Sequence, residues 1–134
     1  MGKNTTQGNV GKAIIGAFAV TLFLKIFILD FMVAEGYSMY PIIKPGTILF
    51  VCKIYYGIKP PGASNYLITW RVPVEGDILV FYTPLGEIAV KRCVESSPEG
   101  FFYALGDNES QSYDSRHYGP VPNNNIIGRV LGIR

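Results

Sequence analysis

Hydrophobic residues are concentrated in one block near the start of the chain. The segment AIIGAFAVTLFLKIFILDFMV, residues 13–33, is apolar on every side of a helix and is interrupted only by Lys25 and Asp30. About 20 apolar residues in a helix cover the roughly 30 Å of a hydrocarbon core. The pattern therefore predicts a transmembrane anchor over residues 13–33, preceded by a short segment, 1–12, and followed by a separate domain, 34–134.

Charges on either side of this block predict its orientation. Lys3 and Lys12 precede it, whereas Asp30 and Glu35 come at its end, so the positive-inside rule places the N-terminus in the cytoplasm and residues from about 34 onward outside. A buried helix of a soluble protein is one alternative, but it conflicts with an apolar surface all round. A cleaved signal peptide is the other, and the run is long for one and is followed by no clear A-x-A site.

The rest of the chain shows the pattern of short strands. Runs rich in Val, Ile, Phe and Tyr are separated by Gly, Pro, Asn and Asp, and no helical periodicity stands out. We predict an all-β domain, a coiled or partly closed antiparallel sheet, with residues 55–66 forming a loop. The predicted strands are residues 47–53, 66–72, 77–82, 87–95, 101–105 and 126–133.

Composition and charge narrow the classes of function. The 134 residues suggest one domain, and a net charge of +2 from 12 basic and 10 acidic residues, without a basic stripe, argues against a nucleic-acid partner. A single histidine, His117, and two distant cysteines offer no zinc-ligand spacing, so we expect neither metal nor cofactor. Cys52 and Cys93 could form a disulfide outside the cytoplasm or remain two separate buried thiols.

Two segments could carry a nucleophile and a base. GYSMYPIIKPG, residues 36–46, places Ser38 in a turn just after the apolar block, and EIAVKRCVE, residues 87–95, places Lys91 inside an apolar strand. Strand alternation puts Lys91 on one face with Ala89 and Cys93, away from Val90 and Arg92. A lysine serves as a base only when burial or nearby positive charge lowers its pKa. Taken alone, each residue has an ordinary structural interpretation, as a turn serine or an edge-strand charge.

A third segment is a polar loop, LGDNESQSYDSRHYGPV, residues 105–121. Ser112, Asp114 and Arg116 stand at alternate positions and would share one face of an extended segment. There they could form an ion pair and offer a hydroxyl to a neighbour. A Ser-His-Asp triad would have to use His117 from the same loop, which we interpret as a solvated loop residue.

The three segments together resemble one family. GYSMYP followed by GTILFV, then GDILVF and VKR, then GDNESQSYDSR with GRV close behind, resemble type I signal peptidases, the membrane-bound serine–lysine endopeptidases. The resemblance implies a protease that removes N-terminal signal peptides from secreted preproteins after small residues. It also implies a monomer anchored once in the plasma or inner membrane, with preproteins and the lipid bilayer as its partners.

The resemblance also implies roles for individual residues. Ser38 would be the nucleophile and Lys91 the general base. Ser112 would hydrogen-bond the Lys91 amine and aim it. Asp114 and Arg116 would hold their loop against the lysine strand.

The resemblance implies supporting roles for further residues in and around the serine segment. Gly36 stands where some relatives carry a serine that donates to the oxyanion, so the backbone N–H of the nucleophile would be the main donor. Met39 and Pro41 would shape the serine turn. Ala34 and Val90 would help to line shallow pockets for small substrate side chains.

Three other functions remain as alternatives. A specialised peptidase for pilins or conjugation proteins could use the same residues. Self-cleaving SOS-type repressors also pair serine with lysine, but they would need a DNA-binding helix-turn-helix where this chain has an apolar span. A membrane-tethered binding module with a dead site would more readily have lost one of Ser38, Lys91 and Ser112.

Overall fold

The computed structural model describes residues 4–134, and Lys3, one of the lysines used to predict orientation, lies outside the described residues. Helix α1 runs from Asn4 to Phe27. Within it, Gln7–Phe27 forms 21 residues with a mean hydropathy of 1.9, none of them buried against the rest of the chain. A helix of that length rises about 32 Å, so it is long and apolar enough to cross a membrane.

The helix does not follow the predicted bounds of the anchor, residues 13–33. It begins earlier and ends at Phe27, and Leu29–Val33 form an edge strand, β1, that pairs antiparallel with the next strand. Sequence hydropathy does not reveal this change because both elements are apolar. In β1 the exposed and partly buried residues alternate, as expected for a strand.

The domain after α1 contains eight strands besides β1. They are β2 Ile48–Cys52, β3 Gly57–Ile58, β4 Ile68–Thr69, β5 Ile78–Tyr82, β6 Ile88–Ser97, β7 Phe101–Leu105, β8 Val121–Pro122 and β9 Ile126–Ile133. Seven strands form one antiparallel sheet in the order β1-β2-β9-β5-β6-β7-β8, and β3 and β4 pair separately. The antiparallel all-β prediction is confirmed.

Each predicted run contains a strand, although the run 66–72 keeps only the two residues of β4. The loop predicted over residues 55–66 contains the short strand β3. A one-turn helix, α2 Ser115–Tyr118, and short 3-10 turns at 109–111 and 123–125 were not predicted. A single helical turn is too short to leave a periodic pattern in the sequence.

Alternation along the central strands divides the core into two clusters. Leu79 and Phe81 of β5 enter one cluster, whereas Val80 enters the other. The alternation predicted for β6 is confirmed, because Ala89 and Cys93 pack with the first cluster and Val90 packs with the second. The two cysteines are both free thiols, Cys93 buried and Cys52 partly so.

Candidate active site

A closed loop presents Ser38 at the end of β1. The loop begins and ends at a backbone pairing, in which Ala34 N–H donates to Thr47 O at 2.8 Å and Gly46 N–H donates to Ala34 O at 2.9 Å. Ser38 lies in the turn between these ends. The two hydrogen bonds fix both ends of the loop to β1 and β2, and so fix the position of the serine relative to the sheet.

Two buried apolar residues anchor the same loop in the core. Met39 is 4% exposed and Ile43 is 1% exposed, and both belong to the second core cluster. Pro41 follows on the exposed side of the turn. Gly36 has φ +74°, a conformation that L side chains adopt rarely, so backbone geometry is a reason for glycine at this position.

Lys91 reaches the serine from the middle of β6, where it lies opposite Leu79 of β5. Lys91 is 6% exposed, and its Nζ donates to Ser38 Oγ at 2.7 Å. Burial lowers the pKa of Lys91, an effect that the charge of Asp114 partly opposes. The structure therefore brings together the two residues that the resemblance pairs, although they are 53 positions apart.

Asp114 lies at the centre of a hydrogen-bond network next to this pair. It is fully buried and accepts from Ser112 Oγ at 2.6 Å, from Gly106 N–H at 2.9 Å, and from Arg116 Nε at 2.9 Å and NH2 at 2.6 Å. Burial alone raises the pKa of Asp114, but these hydrogen bonds outweigh it and hold the pKa well below its ordinary value.

The network corrects two details of the predicted roles. Ser112 donates to Asp114, and no hydrogen bond joins it to Lys91 among the described residues. Asp114 and Arg116 fix the loop to the end of β7 through the Gly106 N–H, and thus reach the lysine strand only indirectly. An ionised carboxylate is a stronger hydrogen-bond acceptor than a neutral group, which explains why the Ser112 hydroxyl donates to Asp114.

An ion pair that was not predicted from the sequence joins the polar loop, residues 105–121, directly to β6. Arg92, the residue after Lys91, binds Asp107 in a bidentate manner, with Nε to Oδ1 at 2.9 Å and NH2 to Oδ2 at 2.8 Å. Asn108 N–H then donates to the carbonyl of Ser38 at 2.9 Å. Opposite charges in VKR and GDN were the only sequence signal for this contact.

Gly106 is a second residue that the sequence analysis did not single out. A Cβ at this position would lie 2.5 Å from the Ser38 carbonyl oxygen and closer still to Ser112 Oγ. The serine loop and the polar loop can therefore approach each other only because residue 106 lacks a side chain.

His117 has a structural role in the arrangement. Its Nδ1 accepts from the backbone N–H of Asp114 at 3.2 Å and completes a capping box at the start of α2. Its ring also stacks on Tyr113 at 4.7 Å between centroids. Both contacts favour the interpretation of His117 as a residue that shapes the loop.

The serine and the lysine open into a cleft of about 550 Å³. Its walls come from the end of β1 and the start of the serine loop on one side, and from the β5–β6 turn and β6 on the other. Ala34 and Val90 both line it, next to Ser38 and Lys91. A hydroxyl in contact with a buried amine, in a cleft that Ala34 and Val90 help to line, can form and hydrolyse an acyl intermediate.

Comparison with known proteins agrees with this chemistry. The family described as signal peptidase, peptidase S26, matches residues 7–97 and 94–133. Signal peptidase I of Bacillus caldolyticus is 26% identical, with 85% of this chain and 84% of that protein aligned. Thylakoidal processing peptidase 1, chloroplastic, of Arabidopsis thaliana is 23% identical, over 90% of this chain and 46% of that protein.

A mitochondrial relative is also similar. Mitochondrial inner membrane protease subunit 1 of Mus musculus is 32% identical, over 75% of this chain and 66% of that protein. Together with the apolar helix over Gln7–Phe27, these relatives indicate that the chain is membrane-associated.

Proposed function

The chain belongs to the signal peptidase family, peptidase S26, and on that premise we propose that Ser38 and Lys91 are the catalytic pair with which it cleaves signal peptides from preproteins. It is a serine endopeptidase. The observation that carries the assignment of the pair is the 2.7 Å contact between Ser38 Oγ and Lys91 Nζ in the lining of the cleft.

Burial makes Lys91 suitable as the base. An amine accepts a proton only when it is neutral, and burial moves its pKa toward the working range. The neutral amine takes the Ser38 proton as Oγ attacks the scissile carbonyl, and it passes that proton to the leaving amine. An acyl-enzyme on Ser38 is then hydrolysed by a water that Lys91 deprotonates.

The backbone of the serine loop supplies the oxyanion donor. In the described part of the chain, the Ser38 N–H donates to no other group, so it is available to the tetrahedral intermediate. Gly36, at φ +74°, bends the chain just before it. Removal of one such donor costs about 100-fold or more in known serine proteases.

Asp114, Ser112 and Arg116 position the loop that closes around the pair. Ser112 holds its hydroxyl against a carboxylate that stays ionised, and the loop beyond Gly106 contacts the Ser38 carbonyl through Asn108. These three residues support the geometry of the pair and do not themselves exchange protons with the substrate.

The substrate binds as an extended strand between the end of β1 and β6. β1 is an edge strand of the sheet, so its free backbone groups can pair with a peptide. Ala34, 8% exposed, and the partly buried Val90 leave room for small side chains near the scissile bond. This arrangement accounts for cleavage after small residues.

The anchor places this cleft where signal peptides end. With α1 crossing the plasma or inner membrane once and the N-terminus in the cytoplasm, Ser38 lies outside, 11 positions after the end of the helix at Phe27. Enzyme and preprotein are then confined to one plane, which raises their effective concentration. We propose that the enzyme acts there as a monomer.

Cleavage of a model preprotein in detergent micelles tests the proposal. Wild type should cut after a small residue, whereas Ser38→Ala and Lys91→Ala should each give no detectable product. Both variants should unfold at the same midpoint as wild type, which shows that they are folded. Ser97→Ala, at the far end of β6, is the matched control and should cleave normally. Appreciable cleavage by either catalytic variant would refute the pair, and a folded but inactive wild type would favour a binding module.

A further inference from the structure

A second cavity, of about 510 Å³, lies where α1 meets the β domain. We refer to it as the junction cavity. It is separate from the catalytic cleft, since the two share none of their lining residues. Its lining comes from the last turn of α1, Lys53 just after β2, the loop 59–64, Tyr82, the 3-10 turn 123–125 and the start of β9.

The junction cavity is cationic. Lys53 and Lys59 both line it. Lys53 Nζ donates to the Ile26 carbonyl at 3.1 Å and pairs with Asp30 at 3.2 Å. Lys59 Nζ donates to the backbone carbonyl of Asn124, and no carboxylate in the described part of the chain forms a salt bridge with it. One lysine charge at this cavity is therefore not balanced by an acid.

The depth of the junction cavity is set by the helix. Ile26, one of its lining residues, is next to the last residue of the apolar span Gln7–Phe27. If α1 crosses the bilayer, that end of the span lies at the boundary between hydrocarbon and headgroups. Both lysines are thus held at the layer in which lipid phosphates lie, and amphipathic cationic side chains at that layer attract anionic lipids.

We propose that the junction cavity binds the headgroup phosphate of an anionic phospholipid, with Lys59 and Lys53 as its cationic contacts. The hydroxyl of Ser64, which also lines the cavity, offers a donor to the same headgroup. Burial lowers the pKa of Lys59, and a phosphate beside the amine would favour its charged form. The proposal rests on membrane insertion of α1 and is independent of the peptidase activity.

Lipid retention by the full chain tests this site. Protein in non-ionic micelles is titrated with phosphatidylglycerol, and the fraction that retains one lipid is measured by native mass spectrometry. We expect tighter binding of phosphatidylglycerol than of phosphatidylcholine, and an apparent affinity about fivefold weaker in Lys59→Gln, the effect of one lysine at an anionic surface. Lys59→Arg keeps the charge and should bind like wild type.

Controls separate this site from general attraction to charge. Lys44→Gln, in the serine loop near the other end of β1, should bind phosphatidylglycerol like wild type. Inorganic phosphate should not displace the lipid. Equal binding of both lipids, no effect of Lys59→Gln, an equal loss in Lys44→Gln, or full displacement by inorganic phosphate would each overturn the proposal. Cleavage of a soluble peptide should be unchanged in Lys59→Gln, so the outcome does not depend on the catalytic pair.

Discussion

Two lysines of this protein have a pKa lowered by burial, yet their surroundings fit them for different tasks. Lys91 in the catalytic cleft meets a serine hydroxyl, which carries a proton that can be transferred. Lys59 in the junction cavity meets the carbonyl of Asn124, which can only accept a hydrogen bond. Burial by itself therefore does not make a lysine a base.

A second difference is the nearby charge. The ionised carboxylate of Asp114 acts on Lys91 and raises its pKa against the effect of burial, whereas desolvation is the cause of the shift at Lys59. The cleft thus balances two opposing effects on its amine. In the junction cavity an external anion could play the part that Asp114 plays in the cleft.

Replacing each lysine by arginine should give the largest contrast. Arginine stays protonated in proteins, so Lys91→Arg cannot accept the Ser38 proton and should lower kcat/KM by about 10³-fold. Lys59→Arg keeps a donor for the Asn124 carbonyl and should stay within about twofold of wild type. Both values follow from cleavage of a signal-sequence peptide in micelles, and a half-active Lys91→Arg would contradict the role of Lys91.

Removing the charge next to Lys91 should affect both stability and catalysis. Asp114→Asn weakens a buried acceptor of several hydrogen bonds and should lower the free energy of unfolding by about 2 kcal/mol, measured by urea denaturation. Glu109→Gln removes a carboxylate that also pairs with Arg116 but is 84% exposed. This control should change stability by less than about 0.5 kcal/mol.

The difference in free energy of unfolding between wild type and Asp114→Asn should depend on pH, and the direction of that dependence can be predicted. The folded-state pKa of Asp114 is depressed, so its contribution to stability is present above the unfolded carboxyl value of about 3.9 and is lost as pH falls below it. Wild type and Asp114→Asn should therefore differ in stability at neutral pH and converge in acid. A gap that stays constant down to acid pH would contradict the ionised network.

A smaller effect should follow from separating the two loops that meet at the cleft. Gly106→Ala places a methyl group against the Ser38 carbonyl and Ser112, and the shift of the serine loop should reduce kcat/KM by about tenfold. In the matched variant Gly132→Ala the new methyl group meets only the Phe50 ring, at 3.8 Å, and activity should be kept. Equal activity in the two variants would show that the loops tolerate separation.

The sheet could be predicted from local patterns because its strands are short apolar runs between turn residues. Where the apolar pattern continues without a break, the boundary between two elements could not be predicted from it. Leu29–Val33 extend the apolar run of α1, and only pairing with Ile48–Cys52 makes them a strand. Hydropathy reports burial in lipid and burial in a sheet in the same way, so the end of the helix could not be read from it.

The site shows a similar limit. The pairing of Ser38 with Lys91 came from the resemblance to a family, since no spacing rule connects residues 53 positions apart. The ion pair of Arg92 with Asp107 and the close approach at Gly106 depend on how β6 and β7 bring two loops together. Such contacts are set by tertiary structure and leave little trace in local sequence.

The pH dependence of kcat/KM tests most directly whether Lys91 acts as a neutral base. We expect kcat/KM to rise with pH to a plateau and to reach half of it below the ordinary lysine pKa of 10.5, and we expect the same profile for Lys59→Gln. In Asp114→Asn the midpoint should move to lower pH, because a charge that raises the pKa of Lys91 is removed. A wild-type midpoint at or above 10.5, or a midpoint that moves in Lys59→Gln, would be incompatible with Lys91 as the neutral base.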